Sequence, residues 1–142
     1  MPKNPTLIAI GLWHSTLEPT LPDPAWFVDE LWDEQEKQAV LQHLQNSYVL
    51  PYPYAGKSWC RFACGEREMG NEDMTDGTSL WPSGLPHYIL HHHVKLPQIV
   101  VQTMLSTPIT HYNFAIDFSV DMDWWETQKG WAKGTTNPIP NY

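Results

Sequence analysis

A single α+β domain, with a twisted antiparallel sheet carrying one long and two short helices, is the fold that this 142-residue sequence predicts. Three observations predict it. A helical apolar period follows Asp23-Pro24, an apolar run stands near the start and an alternating one near the end, and thirteen Pro with eight Gly break the rest into short elements. The length suits one domain with a real core, spanning 1–142 with loose ends at 1–5 and 132–142.

TLIAIGLW (Thr6 to Trp13) is an apolar run of strand formers and reads as a central strand. Asp23-Pro24 supplies a helix N-cap and a proline at the first helical position. A helix over Pro24–Leu44 follows, with Val28, Leu31, Trp32, Gln35, Ala39, Val40, Leu41 and Leu44 on its covered face. Its acidic face, with Glu30, Asp33 and Glu34, turns outward. After a Pro-Tyr-Pro-Tyr-Ala-Gly loop, Trp59 to Cys64 reads as a strand. Thr75-Asp76-Gly77 is a hairpin turn, and Thr78–Trp81 returns until Pro82 ends the ladder. Pro86 opens one short helix through HYILHHH, and Pro97 opens another through PQIVVQTMLS. From Tyr112 to Trp124, apolar and polar residues alternate at period two, which predicts a long strand with Asp117, Asp121 and Asp123 in an exposed stripe.

Composition bounds the function. At 42% hydrophobic and 13% aromatic residues the chain is globular rather than disordered. The formal charge is −8 and the eight Lys and Arg are scattered, so no basic patch supports nucleic-acid binding. The apolar run near the start is too short to span a bilayer and has no signal-peptide flanks; a cytoplasmic location with reduced thiols is expected. Eight Trp serve either as core or as interface anchors.

Chemistry has less support than binding. No Gly-x-Ser-x-Gly elbow or phosphate-cradling glycine loop is present. Neighbouring aspartates on one strand face stand roughly 7 Å apart, which suits neither a shared proton nor a tight ion site. No enzymatic role and no cofactor are therefore expected. The alternative is a zinc site or small metalloenzyme on Cys60, Cys64, His87 and His91, whose paired spacings are permitted for zinc. Against it, an extended strand would hold the two sulfurs roughly 13 Å apart, unless a tight turn forms at Ala63-Cys64-Gly65. His91, His92 and His93 cannot all converge, because consecutive helical residues diverge by about 100°.

Several pieces together, VDELWDEQEKQAVLQHL, SWCRFACG, TDGTSLWPSGLPHYILHHHVKLP and DMDWW, resemble a family of small, mostly uncharacterised bacterial proteins. The family's centre reads Cys-Arg-x-Cys-Gly, then Thr-Asp-Gly-x-x-x-Trp-Pro-Glu-Gly-Leu-x-His-Tyr-x-x-x-His-x-Val-x-Leu-Pro. The likeness covers Val28 to Pro97 and the Trp124-Trp125 pair. This chain has Ser83 where the family favours Glu, and three residues between its cysteines where many members have two. The resemblance implies no enzymatic activity. By size and charge it suggests an immunity-type inhibitor that occludes a basic partner, such as a cognate toxin domain. Asp117, Asp121, Asp123, Trp125, Glu30, Asp33 and Glu34 would then form the binding surface.

Overall fold

The computed structural model describes residues 5–52, 59–65, 69–115 and 118–134. Their elements are β1 (Thr6–Ala9), a 3-10 turn (Pro24–Phe27), α1 (Glu34–Asn46), β2 (Tyr48–Val49), β3 (Asp73–Thr75), β4 (Ser79–Pro82), α2 (Leu85–His92), α3 (Gln98–Ser106), β5 (Ser119–Asp121) and α4 (Asp123–Glu126). They make one α+β domain with a five-stranded sheet in the order β2-β3-β4-β1-β5.

Leu7, Ile8, Ala9 and Ile10 are all buried, and an apolar run covered on both faces takes the interior of the sheet. The sheet is mixed, which corrects the antiparallel expectation. β1 runs parallel to both β4 and β5, while β2-β3 and β3-β4 are antiparallel. The connection from β4 to β5 passes through α2 and α3, and a crossover of that length returns a strand in parallel.

Alternation along the strands sends Ile8, Ile10 and Trp81 into the main core with Val40, Leu44, Leu85, Ile89, Val100 and Val101. Leu7 and Leu80 face the other way and pack with Leu50 and Phe114. The hairpin forms where Asp-Gly placed it. Asp76 Oδ1 accepts from the N–H groups of Thr78 (2.9 Å) and Ser79 (2.8 Å). Of the two, only Gly77 takes positive φ (91°), and Thr75 pairs with Leu80, so the connection is longer than a two-residue turn.

Three expectations are corrected. The helix does not run from Pro24: the chain makes one 3-10 turn and then an extended stretch pinned by tertiary bonds, Asp29 N–H to His93 O (2.9 Å) and Lys95 N–H to Phe27 O (3.0 Å). Asp33, not Asp23, caps α1, accepting from Glu36 N–H at 2.9 Å. The covered face is Lys37, Val40 and Leu44, and Leu31, Gln35 and Ala39 face solvent. The segment Trp59–Cys64 is not a strand but a turn. Of the long strand expected over Tyr112–Trp124, the described residues show Ser119–Asp121, and it ends where the Asp121 side chain accepts from Asp123 N–H (2.9 Å) and turns the chain into α4.

At the C-terminal end, Ala132 N–H bonds the Trp26 carbonyl at 2.9 Å, so the docked chain reaches past Trp131. Of the expected loose ends at 1–5 and 132–142, residues 1–4 and 135–142 lie outside the described residues. Among the described residues no helix is long and apolar enough to cross a membrane.

Candidate metal centre

Ala63 (φ 55°) and Gly65 (φ 99°) both adopt left-handed backbone, and Ala63 N–H closes a turn onto the Cys60 carbonyl at 3.1 Å. That turn folds Cys64 back toward Cys60 instead of leaving the sulfurs a strand's length apart. Two further bonds seat the loop. Arg61 N–H donates to the Tyr88 hydroxyl (2.9 Å), and Arg61 Nε–H donates to the His14 carbonyl (3.1 Å). Tyr88 is a buried residue of α2, and burial pushes its hydroxyl pKa up to about 12.

The histidines come from α2. Pro86 lies in its first turn, as expected, and Leu85, Tyr88 and Ile89 face the core. The helix ends at His93 in left-handed conformation (φ 57°), with His93 N–H reaching back to the Tyr88 carbonyl. That bond spans five residues rather than four and widens the last turn, which brings His92 round toward the His87 side. Phe62 from the loop stacks on His92, with ring centroids 4.5 Å apart and planes at 16°, and fixes the ring.

Cys60 Sγ lies 3.3 Å from His92 Nε2, and Cys64 Sγ lies 3.4 Å from His87 Nε2. All four ligand atoms fall within 4.8 Å of one another. Zinc bond lengths of about 2.3 Å to sulfur and 2.0–2.1 Å to nitrogen give a tetrahedron with edges of roughly 3.3–3.8 Å, so the set needs only a small contraction around an ion. Cys60 is buried and Cys64 exposed, and neither is in a disulfide. The outer side opens to solvent through a cavity of about 550 Å³ lined by Cys64, Gly65, His87, His91 and His92.

The electrostatics suit ligation at His92. Burial, then the neighbouring His87, His91 and His93, push the His92 pKa down, which favours the neutral imidazole that binds metal. At Cys60 the effect is opposite: burial pushes the thiol up, so an ion must displace its proton to bind. Soft thiolate with imidazole in a four-ligand set favours zinc over magnesium or calcium, which take oxygen ligands.

Of the four residues in the sequence alternative, three are present and the fourth is replaced. His91 is exposed and stands at the rim, its ring centroid 5.0 Å from that of His87, but His92 takes its place in the four-atom set. A regular helix puts residues four apart on one face, and that rule selected His91. Helical spacing gave no signal for His92, because residues five apart on a regular α-helix lie about 140° apart around the axis.

The residues of the expected acidic surface differ in exposure and in what they bond. Glu30, Asp33, Glu34 and Asp123 are exposed, but Asp33 and Glu34 are occupied in capping α1 and in accepting from Gln38 Nε2 (2.9 Å). Asp121 is half-buried at the turn into α4, so it and Asp123 do not share a strand face. Asp117 lies outside the described residues. Trp125 is 0% exposed: its indole donates to the Leu12 carbonyl at 2.6 Å and its ring stacks on Phe27 at 5.5 Å. It is a core residue, not an anchor for a partner.

Comparison of the chain with protein-family models, with curated proteins and with solved structures finds no match.

Proposed function

We propose that the chain is a zinc-binding domain, in which Cys60, Cys64, His87 and His92 hold one Zn²⁺ that crosslinks the Cys60–Gly65 loop to α2. The observation that carries the reading is the convergence of four soft or borderline donors within 4.8 Å, from two segments more than twenty residues apart. Four protein ligands close the coordination sphere, which marks a structural rather than a hydrolytic site. The role of the ion is to hold Trp59 and Arg61, which flank Cys60, against the rim of a second cavity. That cavity, of about 710 Å³, is lined by Leu12, Leu17, Leu80, Val120 and Met122 among others. A zinc-ordered binding surface, with no chemistry at the metal, follows from this arrangement.

Elemental analysis of the reduced, purified protein tests the reading. One zinc per chain is expected, with a fall in melting temperature on adding a chelator. Protein free of stoichiometric metal whose melting temperature ignores both chelator and added zinc overturns it.

The inhibitor of a basic partner stands second. It is supported by the net charge of −8 and by exposed Glu30, Asp33, Glu34 and Asp123. It has lost Trp125 as an anchor. Its surface and the zinc centre use different residues, so the two readings are compatible.

A further inference from the structure

The zinc reading leaves one asymmetry without a purpose: of two thiols close enough to share an ion, one is sealed in the core and the other faces an open cavity. Cys60 is 1% exposed, whereas Cys64 is exposed beside Gly65. A purely structural site gains nothing from an accessible sulfur. A redox pair requires one, because an outer sulfur must meet the oxidant and an inner one must resolve the product.

We propose that the centre is a peroxide-operated clamp: oxidation joins Cys60 to Cys64 as a disulfide and releases the metal. The proposal rests on the zinc reading above. The geometry supplies each stage. Cys64 is the sulfur that solvent reaches. Its turn, made by the left-handed Ala63 and Gly65, keeps the two sulfurs within 4.8 Å, so the closing step needs side-chain rotation and a small movement of an exposed loop.

The electron count closes with a peroxide as the named oxidant. The Cys64 thiolate attacks one peroxide oxygen; the O–O bond breaks, a sulfenic acid forms, and hydroxide leaves. The Cys60 thiolate then attacks the Cys64 sulfur; the S–S bond forms, the S–O bond breaks, and a second hydroxide leaves. Two protons from solvent turn the hydroxides into water. Two electrons have passed from the thiolates to the peroxide, and the metal keeps only His87 and His92. Two imidazoles alone hold zinc far more weakly than the full set, and the ion departs. The loop then loses its crosslink to α2 and stays attached through Arg61 to Tyr88 and His14.

The test starts from reduced protein whose zinc content has been measured. Hydrogen peroxide is added, released zinc is read with a chromophoric chelator, and the intact mass is recorded. The expected result is release of one zinc per chain with loss of the mass of two hydrogens, reversed by dithiothreitol and fresh zinc. Cys64→Ser should slow release about tenfold or more. Peptide mapping of the wild-type chain, which should place the disulfide between Cys60 and Cys64 of one molecule, keeps the test independent of how that variant folds. Reduced protein without zinc overturns the metal reading and this proposal with it. A zinc-loaded protein that keeps its metal under peroxide, or loses it with both thiols unpaired or over-oxidised, overturns this proposal alone.

Discussion

Cys60 Sγ sits 3.3 Å from His92 Nε2, although the two residues are 32 positions apart. The neighbouring His91, one residue nearer, is exposed and outside the cluster. On the proposed zinc reading the difference separates ligand from bystander, and it gives a direct test. His92→Gln should weaken zinc binding by about a hundredfold or more, while His91→Gln leaves it within a few-fold. Competition with a chromophoric chelator reads both. Equal losses in the two variants would mean that the histidine tract binds metal without the geometry described.

Acid should open the centre. The folded chain holds His92 below its ordinary value, so as pH falls the unfolded chain takes up that proton first. The stability from neutral His92 is therefore full above about pH 6.5 and declines below it. Protons also compete with zinc for both imidazoles and both sulfurs, which adds to the same trend. Zinc release and melting temperature measured from pH 7.5 down to 5 should fall together. A melting temperature that is flat across this range sinks the prediction.

The hairpin depends on one buried carboxylate. Asp76 is 4% exposed, accepts from two backbone N–H groups through Oδ1, and meets His43 Nε2 through Oδ2 at 2.7 Å. Asp76→Ala should cost about 2–4 kcal/mol, since it strands two backbone N–H groups, one of them buried, and the imidazole on α1. Asp76→Asn, which keeps the Oδ1 acceptor, should cost less. Denaturant unfolding distinguishes them, and equal costs would put the role in packing rather than in the hydrogen bonds.

Trp125 should behave as core. Trp125→Ala is expected to destabilise the fold by about 3–5 kcal/mol, through the lost contacts with Trp13 and Phe27. Trp131→Ala, at a residue 36% exposed and paired with Lys95 by a cation–π contact of 5.1 Å, should cost about 1 kcal/mol or less. A Trp125 variant with unchanged thermal unfolding would restore it as a surface anchor.

Much of the fold was legible where local chemistry and tertiary packing agree. The Asp-Gly hairpin, Pro82 at the end of β4, and the proline-opened helices α2 and α3 stand where the sequence placed them, and β1 takes the first half, Thr6–Ala9, of the run expected over Thr6 to Trp13. The misses share a cause. Asp23-Pro24 is a sound helix start, yet backbone bonds to His93 and Lys95 hold the following residues extended, so the helix waits for Asp33. The alternation after Tyr112 is a strand pattern, yet among the described residues only Ser119–Asp121 pair, and an Asp121 turn ends that strand.

By itself the sequence determined the class of this domain, the interior place of β1, the turns, and the residue types able to bind metal. Spacing and periodicity are properties of a chain, and they survive into any compact structure it adopts. The tertiary structure alone decided the sheet's parallel pairings, the burial of Trp125, and the choice of His92 over His91. It also decided that the two cysteines meet. That outcome hangs on the left-handed turn through Ala63 and Gly65 and on the widened end of α2, which depend on Arg61, Phe62 and Tyr88 packing across the sequence. Contacts between distant segments fix those backbone angles, and no local pattern carries them.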